Sequence, residues 1–224
     1  MESRRTILAI TGPFGSGKTT VTHLVTAALR SAGVAVRIIA LDELSRFAID
    51  NDLALRHELA DTFGMHILND DSSLNRPALA ELAFADDQST AKLNALVHPP
   101  TIQLALEQVK QAQAAEELPI VELPFPVMYF SEIFTHDAAK TMVWTVSADK
   151  ETRLERGLAD GFKLEDVLAR MDRQPRNSAY LTEADLTIEN SDSLADLRLE
   201  IEMCIEEGGL ASSLTSSPTN LQKS

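Results

Sequence analysis

The stretch Gly12-Pro13-Phe14-Gly15-Ser16-Gly17-Lys18-Thr19 constrains this chain more than any other. It satisfies the phosphate-loop pattern G-x-x-x-x-G-K-[ST] at every fixed position. The apolar run Thr6–Thr11 before it reads as a buried strand. Thr19–Arg30 after it reads as a helix, with Val21, Leu24, Val25, Ala28 and Leu29 on one face. Glycines let the backbone curl with its N–H groups inward, where they meet phosphate oxygens. The helix N-terminus adds partial positive charge. In such a loop Lys18 reaches the β- and γ-phosphates, and the Thr19 hydroxyl is the expected Mg²⁺ ligand. The plainer alternative is a glycine turn with a solvated lysine. The strand–loop–helix context argues against it.

The chain has 224 residues, 44% of them hydrophobic, enough for one large domain with a sizeable core. A formal net charge of −14 argues against non-specific nucleic-acid binding, because phosphate backbones are repelled. A nucleotide can still bind where the local site is basic or holds a metal ion. Cys204 is the only cysteine, so neither an intrachain disulfide nor a cysteine zinc cluster is expected. No apolar run is long enough to span a bilayer, and Met1–Arg5 leads straight into a short strand without the pattern of a signal peptide. The expectation is a soluble, cytoplasmic protein that binds neither membrane nor nucleic acid, its oligomeric state left open, a monomer included.

Further strand patterns lie at Val34–Leu41, Leu118–Leu123, Thr141–Val146 and Asp185–Glu189. Between the second and third, Leu44 to about Glu117 is mostly helical, with breaks expected at Asn69–Ser73 and at His98-Pro99-Pro100. Lys150–Asp160 and Leu164–Arg173 read as helices around Gly161, and Leu194–Ile205 as a closing helix. Strands alternating with helices predict an α/β fold, a parallel sheet covered on both faces. With the phosphate loop this is a three-layer P-loop NTPase or kinase fold. The expected organisation is a single domain over 1–207, with a core of 1–43, 118–150 and 184–207. A helical acceptor-binding insertion would occupy about 44–117 and a lid about 151–178. Residues 208–224, rich in Ser, Thr and Gly, read as a disordered tail.

Asp42 follows the second strand, at the sheet edge where ligands of such folds bind. A carboxylate there could accept a proton from a hydroxyl or hold Mg²⁺ through water. Arg46, four residues on, could bind an anionic group. A helix cap and an i,i+4 ion pair are equally good accounts of the two.

The chain resembles the dephospho-CoA kinase family from about Ile7 to Leu197. The family's T-G-G-x-G-S-G-K-[ST]-T stands here as Thr11–Thr20, and its D-A-D-x-x-x-R as Ala40-Leu-Asp42-Glu-Leu-Ser-Arg46. Its D-G-x-L-[DN]-R stands as Asp71–Arg76, and L-N-x-L-x-H-P as Leu93–Pro99. The lid's R-x-x-x-Q stands as Arg170–Gln174, and the closing A-D-x-x-I-x-N as Ala184–Asn190. The pattern departs at Ala40 for the first Asp, at Ser72 for the Gly, and at Pro124–Met128 for P-L-L-x-E, without its acid.

The resemblance implies ATP-dependent phosphorylation of the dephospho-CoA ribose 3′-hydroxyl, the last step of CoA synthesis, with Mg²⁺. ATP would be held by Gly12, Pro13, Phe14, Gly15, Ser16, Gly17, Lys18, Thr19 and Thr20, with Arg153 and Arg170. Catalysis would fall to Asp42 as base, Lys18, and Arg156, which offsets charge on the moving phosphoryl. Asp42, Arg46, Arg76 and His98 would bind the acceptor. Each has a bland alternative: ion pairs with Glu151 and Glu155 for Arg153 and Arg156, a capping or core role for His98, a helix-start ion pair for Arg76. Arg173 and Arg176 add further positive charge near the lid. Trp144 reads as core, and His23, His57, His66 and His136 have no metal-ligand spacing. The departures at 124–128 leave a nucleoside- or nucleotide-like P-loop kinase, or a non-catalytic nucleotide-binding relative, as the alternatives.

Overall fold

The computed structural model describes residues 6–135, 140–175, 177–208 and 210. Arg176, His136 and the expected tail beyond 210 lie outside the described residues. In chain order the elements begin with β1 (Thr6–Thr11), α1 (Lys18–Ser31), β2 (Val36–Ala40), α2 (Leu41–Asn51) and α3 (Leu53–Phe63). There follow a 3-10 turn (Met65–Ile67), α4 (Arg76–Ala83), α5 (Asp87–Ala114), β3 (Leu118–Glu122), a second 3-10 turn (Val127–Phe130) and α6 (Ser131–Thr135). The chain continues with β4 (Lys140–Ser147), α7 (Lys150–Ala159), α8 (Leu164–Arg173), α9 (Asn177–Leu181), β5 (Leu186–Glu189) and α10 (Leu194–Glu207).

The described strands form one five-stranded sheet in the order β2-β3-β1-β4-β5. The pairings of β1 with β3 and β4, and of β4 with β5, are parallel. Ile7, Leu8, Ala9 and Ile10 of β1 are all buried, as expected for a parallel strand covered on both faces. Alternate residues of β1, β3 and β4 (Leu8 and Ile10, Leu118 and Ile120, Met142, Trp144 and Val146) share one face. Against them pack Val21, Val25 and Leu29 of α1 and Leu197, Ile201, Cys204 and Ile205 of α10. Trp144, fully buried here, is a core residue. Leu210, 1% exposed, belongs to the same cluster, so the packed chain runs past Gly208, where the tail was expected to begin. Its side chain supplies the burial that the polar composition around it does not.

Two compact units can be distinguished: residues 1–39 with 109–224, which hold the sheet, and Ala40–Gln108. The second unit is helical and has its own core around Leu55, Leu59, Ile67, Leu79, Ala83 and Val97. Its helix starts are specified locally. The Asp52 side chain accepts from the Leu55 N–H, and Asn75 from the Ala78 N–H. The expected break at His98–Pro100 does not occur, because α5 runs through both prolines. Pro99 and Pro100 cannot donate to the Ala95 and Leu96 carbonyls. Burial of Val97, Ile102 and Ala105 holds the helical path nonetheless, and the Thr101 hydroxyl donates to the Val97 carbonyl at 2.7 Å. No described helix is long and apolar enough to cross a membrane.

Candidate active site

β1 ends at Thr11 and α1 begins at Lys18, so six residues make the turn between them. Gly15 and Gly17 have φ of 76° and 87°, in the left-handed region that favours glycine. Space closes both positions as well. A Cβ on Gly15 would lie 2.6 Å from the Arg153 carbonyl oxygen, and one on Gly17 would lie 2.3 Å from Asn190 Nδ2. The first turn of α1 has neither a side-chain cap nor an acidic residue. Its N–H groups and dipole are therefore not offset by the protein's own first-turn carboxylates, an arrangement suited to an anion.

Lys18 Nζ donates to the carbonyls of Gly12 at 3.0 Å and Pro13 at 3.2 Å, and so lies along the loop. The Thr19 hydroxyl donates to Glu122 Oε1 at 2.7 Å. Glu122 ends β3 and stands in register beside Ile10 of β1. Sequence reasoning missed it, having looked for the acid at position 128. The available signal was an acid closing an otherwise apolar strand beside the loop strand. The Thr19 hydroxyl and Glu122 carboxylate are hard oxygen donors suited to Mg²⁺.

The arginines of α7 grip the outside of the loop. Arg153, only 6% exposed, donates from Nε to the Phe14 carbonyl at 2.7 Å. Burial lowers its pKa, an effect opposed by neighbouring Tyr180. Burial in turn pushes the Tyr180 phenol up, and its hydroxyl has no hydrogen-bond partner among the described residues. Arg156 Nη1 donates to the carbonyls of Gly15 and Ser16 at 3.4 and 3.3 Å. Its Nη2 reaches Asn190 Oδ1 at 3.4 Å, and Asn190 Nδ2 donates to the Ser16 carbonyl at 2.8 Å. The last Asn of the A-D-x-x-I-x-N element thereby becomes part of the loop's frame. Gln174 Oε1 accepts from the Phe14 N–H at 2.6 Å. The Arg170 guanidinium lies 4.4 Å from the Phe162 ring centre and 5.6 Å from that of Phe14. The structure thus gathers Lys18, Thr19, Arg153, Arg156 and Arg170 around one loop.

The other expected site residues belong to the second unit. α2 starts at Leu41 directly after β2, with Ala40 as its N-cap, so Asp42 sits exposed in the first helical turn. Arg46 is exposed one turn later on the same helix. Arg76, the first residue of α4, contacts both oxygens of Asp50 at 2.7 and 2.8 Å. Arg76 is therefore ion-paired, though with Asp50 on α2, 26 residues away, rather than with the neighbouring acid expected from sequence. His98 lies half-buried within α5, and burial lowers its pKa. Ser72 occupies the family's glycine position with φ of 62°, the conformation a glycine would take at least cost.

A family model described as dephospho-CoA kinase matches residues 6–196. A dephospho-CoA kinase of Corynebacterium glutamicum is 32% identical over 202 residues, covering 89% of this chain and 98% of that protein. Among solved structures, TT1252 from Thermus thermophilus superposes with a TM-score of 0.68 at 31% identity, covering 91% of this chain and 98% of that one. Dephospho-CoA kinase from Campylobacter jejuni shares the fold with a TM-score of 0.57 at 23% identity, covering 92% and 97%.

Proposed function

The chain belongs to the dephospho-CoA kinase family, and on that premise we propose that it transfers the γ-phosphoryl of ATP to the ribose 3′-hydroxyl of dephospho-CoA, completing CoA synthesis. It is an ATP-dependent kinase with a P-loop kinase fold. The observation that carries the substrate assignment is the family match over residues 6–196, seated on an intact phosphate loop.

The N–H groups of the Gly12–Thr20 loop, Pro13 having none, and the α1 dipole hold the phosphates, and Lys18 turns from the loop carbonyls to the β/γ oxygens. Thr19 and Glu122 are the residues that would hold Mg²⁺, with Glu122 orienting the Thr19 hydroxyl and offering a second carboxylate oxygen. When bound, the ion would supply positive charge that offsets the charge of the transferring phosphoryl group. Asp42 orients the acceptor hydroxyl and takes its proton. Arg46, Arg76 and His98, on the helical insertion of about 44–117, bind the acceptor. Residues of about 151–178 form the lid. In it Arg153 braces the loop through Phe14, while Arg156 and Arg170 offset phosphate charge and closure excludes water. Each acceptor contact is an inference from the family's motifs. We place the enzyme in the cytoplasm, where a buried Cys204, its thiol pushed up to about 11, needs no disulfide partner.

A coupled ADP-release assay with dephospho-CoA, adenosine and a blank tests the reading. ADP release dependent on dephospho-CoA is expected. Release with adenosine alone would point instead to a nucleoside kinase, and tight ATP binding without turnover on any acceptor to a non-catalytic relative. Asp42→Asn should lower turnover by about 10²–10⁴-fold while changing ATP affinity little. Equal losses in both would contradict its role as base.

A further inference from the structure

Phe14 is held by the α7–α8 segment through its ring and through both of its peptide groups. Its carbonyl accepts from buried Arg153, and its N–H donates to Gln174. Its ring meets Phe162 edge-on at 5.7 Å, and both rings face the Arg170 guanidinium. Gly157 of α7 has no Cβ where one would lie 3.0 Å from Phe14 Cε1 and 2.9 Å from Val167 Cγ2. The ring therefore sits against the α7–α8 crossing itself.

We propose that Phe14 and Phe162 form an aromatic latch that positions Arg170 over the phosphate loop and ties lid closure to the loop's phosphate-binding amides. The proposal rests on the reading of Gly12–Thr20 as the ATP-phosphate site. Ring faces attract a guanidinium, so two rings around Arg170 fix a long side chain that is otherwise exposed. The Phe14 N–H serves one strong acceptor at a time. In this structure Gln174 takes it, so the loop's path at Phe14 is tied to the lid segment that also carries Arg170. Neither Phe14 nor Phe162 touches the reacting atoms in this scheme. Both act through Arg170 and the loop amide.

The test uses the full chain, with MgATP affinity measured by calorimetry and ADP formation measured without acceptor. Phe162→Leu should weaken MgATP binding by about threefold to tenfold and raise the share of ATP lost to water. Arg170→Ala should do the same, and the double variant should be no worse than Arg170→Ala alone. Phe162→Tyr, which keeps the ring, should restore both readouts. The proposal is overturned if Phe162→Leu leaves both readouts at parent values, if only its melting temperature falls, or if the two substitutions add in full. Neither readout needs dephospho-CoA. A parent enzyme inert toward that acceptor would sink the substrate assignment and still leave the latch to be judged.

Discussion

The phosphate loop and the second unit are built in opposite ways. Around the loop, polar groups reach across long stretches of chain: Arg153 to Phe14, Gln174 to Phe14, Asn190 to Ser16, Thr19 to Glu122. In Ala40–Gln108 many polar side chains serve near neighbours: Asp52 caps its own helix, Asn75 does likewise, and Arg56 donates to the Ile49 and Asp50 carbonyls. A site held by distant groups is preorganised, because no single helix can shift without breaking bonds to others. A unit ordered by local caps tolerates change one position at a time.

The sharpest break of the comparison is at Glu122. Glu122→Gln should raise the Mg²⁺ concentration needed for half-maximal rate by about tenfold to hundredfold, read from a Mg²⁺ titration of ADP release. An unchanged requirement would reduce Glu122 to a packing partner of Thr19. Next, Gly17→Ala should cost about 2–4 kcal/mol of stability, because it combines a left-handed φ with a collision at Asn190. Asn75→Ala, which removes a local cap, should cost only about 1 kcal/mol. Denaturant melts of the two variants would erase the contrast if the losses were equal. Ser72→Gly should stabilise by about 0.5–1 kcal/mol, the left-handed strain relieved less glycine's extra chain entropy. A loss of stability would mean that the serine side chain contributes more than its backbone strain costs.

The smallest effect expected is at His98. Burial depresses its folded pKa below the usual 6.5, so the unfolded chain binds the proton more readily. Its contribution is therefore present above 6.5 and declines as pH falls through that value toward the folded pKa. His98→Asn should flatten the dependence of melting temperature on pH in that window. An unchanged slope would assign the acid loss to other groups.

The phosphate loop was legible in the sequence because its requirements are local: glycines for left-handed turns, a helix start, a lysine and a hydroxyl at set offsets. The strands were read to within a residue or two for the same reason. β2 ends at Ala40 rather than Leu41 because α2 follows with no linking residue. Glu122 was hidden because its meaning depends on Thr19, 103 residues away. The grip of Arg153 on Phe14 was hidden likewise, since helical spacing says which face an arginine is on but not which carbonyl it will find. At Pro99-Pro100 the local signal for a break was overridden by buried neighbours. The acceptor roles proposed for Asp42, Arg46, Arg76 and His98 rest on the family resemblance, because no local signal in the sequence names the group each side chain would meet.

The most direct test is to incubate the enzyme with MgATP and dephospho-CoA and identify the product by mass and by the position of the new phosphate. The account predicts one added phosphate at the ribose 3′-oxygen, giving CoA with one ADP per turnover, and loss of both products in Lys18→Ala by about 10³-fold. An unmodified acceptor, a phosphate at any other oxygen, or full transfer by Lys18→Ala would contradict it.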